Sequence, residues 1–205
     1  MQGSIVAQKK RNRPIAITDI AISKVPRTQI FGFTNEQNMF IQEMHKEVLR
    51  IAKNLCEENK SNSMEAVILL DTHTWDSWIV KGKKDSIVDI NDNPQAKEIL
   101  DTSTKNSLML LHNHPSTGTF SARDLRTFCN NDSVYIMTAV GNDGSVYVLK
   151  KNIKFDASKT LVEYGQLAEK FKKQGFKYNA TEAVKYMLKN AEMYNMSYKK
   201  GRKKI

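Results

Sequence analysis

The chain of 205 residues has only two cysteines, Cys56 and Cys129, and they lie far apart in the sequence. Two isolated cysteines exclude a disulfide framework and favour a reducing compartment, so we expect a cytoplasmic protein. The first twenty residues lack the apolar segment of a secretory signal, and we expect no signal peptide. The longest apolar runs, AVILL and LMLL, are far too short to cross a bilayer, so we expect no membrane association.

Acidic residues are scarce at the C-terminal end of the chain, which is the source of its net charge of +10. Residues 1–149 carry 17 basic and 17 acidic residues, whereas residues 150–205 carry 15 basic and 5 acidic ones. A basic surface of this kind can attract nucleic acid or an acidic protein. The alternative is a solubilising tail without a dedicated partner.

Length and composition indicate one globular domain with appendages. We predict a flexible basic arm over residues 1–30, a central domain over 31–152, and a basic helical extension over 153–205.

Hydrophobic periodicity predicts an α+β protein, with a mixed sheet flanked by helices. A short strand or extended arm is expected over 16–26. The predicted helices cover 35–59, 93–103, 121–131, 156–174 and 181–194, and the predicted strands cover 64–71, 75–82, 83–90, 107–115, 133–140 and 145–151.

One stretch, LLHNHPSTGTFSARD from Leu110 to Asp124, carries chemistry. On a strand, His112 and His114 point to the same face, because strand side chains alternate. Pro115 ends that strand, and Asp124 falls in the first turn of the next helix. Two histidines and one carboxylate form a standard ligand set for catalytic zinc and leave a fourth position for water. Zinc lowers the pKa of that water towards about 7.

Such a site needs a general base, and Glu65 is the first candidate. It opens the otherwise apolar strand MEAVILL, and it can face the metal if that strand neighbours the histidine strand. Glu98 and Asp101 are weaker alternatives, since both suit a solvated helix face. An exposed charge at a strand end remains the alternative interpretation of Glu65.

Together these residues resemble the JAB/JAMM (MPN+) metalloprotease motif, E…H-x-H-P…S-x-x-D. Glu65 corresponds to the glutamate of the motif, HNHP begins at His112, and SARD begins at Ser121. The sequence HNHPS is most similar to the RadC-like branch. The resemblance covers about residues 60–152 and implies a JAB/MPN-like (cytidine-deaminase-like) fold.

The resemblance also implies roles for individual residues. His112, His114 and Asp124 would hold Zn²⁺, and Glu65 would take a proton from the bound water. Ser121 would stabilise the oxyanion, an interaction that typically contributes about 10²–10³-fold in rate. Members of the family cleave peptide or isopeptide bonds, often at the C-terminus of ubiquitin or a ubiquitin-like protein, so we expect a protein or peptide substrate.

The sequence departs from the family pattern at two places. The loop between His114 and Ser121 is one residue shorter than usual, and Gly118 could allow the tighter turn. Residues 1–60 lack the helix-hairpin-helix region that RadC proteins usually carry. Two other hypotheses stay open: a nucleic-acid-associated protein of a mobile element or repair context that uses its basic C-terminus, and an interaction module without turnover.

Other candidate residues have ordinary structural interpretations. Ser121 and Asp124 match a helix capping box, which could be their only role. His45 and His73 are predicted at the surface. Cys129 is predicted to be a small buried apolar residue.

Overall fold

The computed structural model describes residues 13–201; the predictions for residues 1–12 and 202–205 lie outside the described residues. The described part contains six α-helices and six strands. The helices are α1 (Asp19–Ser23), α2 (Asn35–Asn59), α3 (Pro94–Thr102), α4 (Ala122–Asn130), α5 (Ala157–Lys173) and α6 (Asn179–Lys189). The strands are β1 (Ala66–Asp71), β2 (Ser77–Lys81), β3 (Leu108–His114), β4 (Val134–Gly141), β5 (Val146–Lys151) and β6 (Met196–Lys200).

The six strands form one mixed sheet in the order β2-β1-β3-β4-β5-β6. β3 and β4 pair in parallel, and α4 connects them. The other neighbouring strands pair antiparallel. Helices cover both faces of the sheet, which confirms the predicted α+β class.

Two apolar clusters lie on opposite faces of this sheet. The first joins the β3 side chains Leu108 and Leu110 to buried residues of α3, α4 and α6. The second joins Met109 and Leu111 to the buried stripe of α2. Because β3 is covered on both faces, its sequence is almost continuously apolar until the histidines begin.

Helix α2 shows how local sequence and packing agree. Thr34 caps the helix in a capping box with Gln37: Thr34 Oγ1 accepts from the Gln37 N–H at 3.3 Å, and Gln37 Oε1 accepts from the Thr34 N–H at 2.8 Å. The buried stripe includes Ile41, Val48 and Leu49, spaced for one helical face. None of the helices described between residues 13 and 201 is long and apolar enough to span a bilayer.

Segments on both sides of the predicted central domain contribute to its core. Ile22 and Val25, from the described part of the predicted arm, pack in the second cluster. Val184 and Met187 of α6 pack in the first. Residues of the predicted arm and of the basic extension are therefore buried in the same two clusters as residues 31–152.

Two short segments differ from the prediction. Residues 16–26 were expected to be extended, but Asp19–Ser23 form α1, because Thr18 Oγ1 accepts from the Ala21 N–H and caps the turn. The strand expected over 83–90 is absent. That segment contains an isolated bridge between Lys84 and Ile87 and leads into a 3₁₀ turn, Ile90–Asp92. A side chain at Gly82 would collide with the Glu65 and Ile87 carbonyl oxygens. The backbone at Gly82 therefore passes close to the backbone at Glu65 and Ile87, which only a glycine allows.

The C-terminal end also differs from the prediction. The helix expected over 181–194 ends at Lys189, and a 3₁₀ turn, Ala191–Tyr194, follows. Asn195 then adopts a left-handed conformation with φ of 51°, which ends the turn and starts β6. The strand β6 was not predicted, since MSYKK is short and two of its five residues are lysines.

Candidate metal centre

The two histidines of β3 emerge side by side at the end of the strand. They point to the face of the first apolar cluster, as strand alternation predicts. Their Nε2 atoms lie 2.9 Å apart. The first turn of α4 brings Asp124 against both rings: Oδ1 lies 3.5 Å from His112 Nε2, and Oδ2 lies 3.1 Å from His114 Nε2.

Asp124 is oriented by the helix that carries it. Its Oδ2 accepts the Ser121 N–H at 2.6 Å, and Ser121 Oγ accepts the Asp124 N–H at 3.2 Å. The predicted capping box is therefore confirmed. Burial raises the pKa of Asp124, but the charge of His112 and hydrogen bonds from both histidines hold it well below its usual range.

His114 is held on its other side by the shortened loop. Burial lowers the pKa of His114, but the hydrogen bond and charge of Asp124, together with Glu65 and a hydrogen bond to the Gly118 backbone, raise it above its ordinary value. Its Nε2 faces Asp124. This arrangement orients the ring and leaves Nε2 for a metal. Nδ1 of His112 is buried and has no hydrogen-bond partner within residues 13–201.

The loop turns tightly without a left-handed glycine. Gly118 is not among the residues with positive φ, contrary to the expected use of its conformational freedom. Ser116 Oγ accepts from the Gly118 N–H at 3.1 Å. Tyr147 donates its hydroxyl to the Thr117 carbonyl at 3.1 Å. Side-chain hydrogen bonds therefore close the shorter loop.

Strand β6 supports the same loop. The Tyr198 hydroxyl lies 3.2 Å from Thr119 Oγ1, and its ring contacts that of Phe120 at a centroid distance of 6.4 Å. Phe120 in turn lies 6.2 Å from the His112 ring. A strand far away in sequence thus buttresses the histidines.

Glu65 lies beside this cluster, directly before β1. It lines a cleft of about 380 Å³ together with His112, Arg123 and Asp124. β1 pairs with β3, which places Glu65 next to the histidine strand as predicted. Burial raises the pKa of Glu65 above its ordinary value, Asp124 adds to that effect, and His114, His112 and Arg123 oppose it.

The other acidic candidates lie less favourably. Glu98 is exposed on α3 and does not line the cleft. Asp101 lines the cleft, but its carboxylate pairs with Lys97.

Asn113 was not among the predicted site residues; it lies between the histidines and points to the opposite face. Its Oδ1 accepts the Ala66 N–H at 2.8 Å, and its Nδ2 donates to the Met64 carbonyl at 3.1 Å. These two groups flank Glu65, so the fully buried Asn113 side chain ties the Glu65 backbone to the histidine strand. The sequence contained one signal for this role: strand alternation places the polar Asn113 on the face opposite to the two histidines.

The prediction for His45 was wrong. His45 is fully buried on α2, and its Nε2 lies 2.9 Å from Thr138 Oγ1 of β4. Burial lowers its pKa to about 3. His73 is exposed in a turn and Cys129 is buried, as predicted.

The residues at this centre fit a divalent metal. Each of His112, His114 and Asp124 offers a ligand atom, and these atoms all lie within 4.8 Å of one another. Two imidazole nitrogens and a carboxylate oxygen suit zinc. A bound cation would accept the lone pairs of these nitrogen and oxygen atoms, which otherwise point towards one another. No family model, curated protein or solved structure matches the chain.

Proposed function

We propose that this chain is a zinc-dependent hydrolase of peptide or isopeptide bonds, with a JAB/MPN-like fold of the RadC-like branch. The observation that carries the proposal is the convergence of His112, His114 and Asp124 within 4.8 Å, beside Glu65 in one cleft. The E…H-x-H-P…S-x-x-D pattern and the order of elements around it support the assignment.

In this proposal, His112, His114 and Asp124 hold the metal. Bound zinc would supply Lewis acidity, lowering the pKa of a coordinated water and polarising the scissile carbonyl. The hydrogen bonds of Asp124 to Ser121 and of His114 to Gly118 fix the ligands in place. Ligands that are already oriented lose little conformational freedom when a metal binds.

Glu65 acts as the general base. Its carboxylate accepts a proton from the attacking water and delivers it to the nitrogen of the leaving amine. A raised pKa suits both steps, because a group that titrates closer to neutrality can accept and return a proton. Ser121 donates a hydrogen bond from its hydroxyl to the developing oxyanion; within the described residues Ser121 Oγ serves only as an acceptor.

The mixed lining of the cleft suits a protein or peptide substrate. Apolar residues, among them Val67, Leu110 and Met137, line it together with charged ones such as Lys97 and Arg123. A volume of about 380 Å³ accommodates one substrate side chain next to the scissile bond. A ubiquitin-like C-terminal tail is the substrate class that the family resemblance suggests.

The first test is metal content, measured by mass spectrometry on purified protein supplied with zinc. We expect about one zinc per chain in the wild type, from three protein ligands that leave one open position. His112→Ala should lose the metal, whereas His73→Ala, a matched change at an exposed turn, should retain it. Equal metal content in both variants would refute the site.

The second test separates binding from turnover. Glu65→Gln should retain zinc but lose about 10²–10⁴-fold in cleavage of peptide or isopeptide-linked substrates, because the amide cannot accept the proton. Glu98→Gln is the matched control and should cleave at the wild-type rate. A Glu65→Gln variant at full rate would remove Glu65 from the mechanism.

A further inference from the structure

The turn between α5 and α6 presents a dense group of lysines. Residues 170–189 contain six lysines and one acidic residue, Glu182. The basic residues that the sequence analysis assigned to an extension are thus concentrated on a folded element. We call the exposed basic and aromatic side chains of this segment the hairpin surface; they are Lys170, Lys172, Lys173, Phe176, Lys177, Tyr178, Lys185, Tyr186 and Lys189.

Three aromatic rings lie among these lysines and remain open to solvent. Phe176, Tyr178 and Tyr186 are 45%, 49% and 41% exposed. Phe176 and Tyr186 both contact the half-buried Phe171, at ring-centroid distances of 5.2 and 6.3 Å. Phe176 and Tyr186 are therefore joined through Phe171 in one patch, while Tyr178 lies beside Lys177, whose Nζ is 5.7 Å from the ring centroid.

The hairpin surface is held rigidly by the core beneath it. Gly175 adopts φ of +79° and ends α5, and the Phe176 N–H then donates to the Phe171 carbonyl at 3.0 Å. The opposite side of α6 buries Val184 and Met187 in the first cluster. Because other residues fill the core, the exposed faces of Phe176 and Tyr186 are not needed for folding.

Part of the positive charge is uncompensated. Glu169 lies 3.9 and 4.0 Å from Lys172 and Lys173, and Glu182 lies 3.2 Å from Lys185. Within residues 13–201, Lys170, Lys177 and Lys189 form no ion pair. These three ammonium groups are available to an external anion.

We infer that the hairpin surface binds single-stranded nucleic acid. Lysines neutralise phosphates, and exposed rings provide faces on which unpaired bases stack. Duplex bases are already stacked on one another and cannot use such rings. An acidic polypeptide would pair with the lysines but would leave the aromatic faces without planar partners. This inference does not depend on the proposed hydrolase activity.

The surface also has a definite place relative to the metal centre. α5 and α6 pack on the first cluster, which is the face to which His112 points. Helix α4, which carries Asp124, packs against both. A strand bound at the hairpin surface therefore lies on the same side of the sheet as the cleft.

The test is fluorescence anisotropy of a labelled 20-nucleotide oligo(dT) with the full chain. If three to four phosphates are neutralised, log K should fall with log salt at a slope of about −2 to −3. Lys177→Gln combined with Lys189→Gln should reduce the slope by about 1.4. Phe176→Ala and Tyr186→Ala should each weaken binding by at least about fivefold.

Matched controls lie elsewhere on the molecule. Phe31 is 85% exposed on the opposite face of the sheet, and Phe31→Ala should leave affinity unchanged. Lys81→Gln with Lys105→Gln removes two exposed lysines outside the hairpin surface and should leave the slope unchanged. Circular dichroism verifies that each variant is folded.

Three outcomes would overturn the inference. The first is absence of oligo(dT) binding at low salt. The second is binding that Phe176→Ala and Tyr186→Ala leave intact, which would mean that no base stacks there. The third is equal competition by poly-glutamate or by vesicles containing phosphatidylserine, which would identify a general polyanion surface.

Discussion

Single residues of one type occupy different environments in this protein, and histidine shows this most clearly. His112 and His114 converge with Asp124, His73 is exposed in a turn, and His45 is buried against Thr138. His45 lies four residues after Ile41 and four before Leu49, so helical spacing places it on the buried stripe of α2. The face that meets β4 is determined by the packing of the whole helix.

His45 should make folding stability depend on pH. Burial lowers its pKa to about 3, while the unfolded chain titrates near about 6.5. Between these values the unfolded state binds a proton that the folded state does not. The free energy of unfolding should therefore decrease as the pH falls through this window, by up to about 1.4 kcal/mol per pH unit.

Urea unfolding of wild type and His45→Gln, at about pH 7 and about pH 4.5, measures this effect. Gln retains a group that can bond to Thr138 but does not titrate, so the variant should lose less stability on acidification. His73→Gln should follow the wild-type dependence. Parallel pH profiles for wild type and His45→Gln would show that His45 is not the buried titrating group.

At the scale of elements, the alternating side chains of β3 place residues with different roles on the two faces of the sheet. His112 and His114 point towards the cleft, while Asn113 between them points into the second face and bonds the backbone on either side of Glu65. One strand therefore carries the proposed metal ligands on one face and positions the proposed general base from the other. The parallel pairing of β3 with β4 leaves room for the loop and α4 to return Asp124 to the same end.

Asn113→Ala tests this tie between strands. The change leaves the Ala66 N–H and the Met64 carbonyl without their partner in a buried environment, so unfolding should become easier by about 2–4 kcal/mol. Chemical denaturation measures the difference. Asn130→Ala, at an exposed position near the end of α4, should change stability by less than about 0.5 kcal/mol. An unchanged free energy of unfolding in Asn113→Ala would mean that water replaces the side-chain amide.

At the scale of the whole molecule, the described segments on both sides of residues 31–152 complete its core and its sheet. β6 pairs with β5, Met196 is fully buried, and Tyr198 stacks on Tyr147 above the loop that carries the site. The Gly201 N–H donates to the Val146 carbonyl at 2.8 Å. The basic C-terminus is thus partly an edge strand of the sheet.

Deletion of residues 196–205 should therefore abolish cooperative unfolding. The deletion exposes β5 and removes the support of Phe120 by Tyr198, so thermal melts followed by circular dichroism should broaden. A chain ending at Gly201 retains every strand and helix that the structure describes between residues 13 and 201, and it should melt within about 4 °C of the full chain. A sharp melt of the 196–205 deletion near the wild-type temperature would show that β6 is dispensable.

Most elements were predictable because their signals are local. The α2 stripe, the alternation of β4 and β5 and the caps at Thr34 and Ser121 each depend on residues a few positions apart. The failures have non-local causes. MSYKK forms a strand because it pairs with the free edge of β5. KKDSIVDI forms no strand because no neighbouring strand pairs with it.

The sequence by itself determined the class of fold and the candidate ligand set, since strand alternation brings His112 and His114 to one face and the spacing to SARD returns a carboxylate. Only the tertiary structure decided how that set is held. Gly118 orients His114, and Asn113 bonds to the backbone on both sides of Glu65. Tyr198 supports Phe120, and the buried His45 contacts Thr138 of β4. These contacts join residues whose separation in sequence carries no periodic signal, and they arise when the two faces of the sheet are packed.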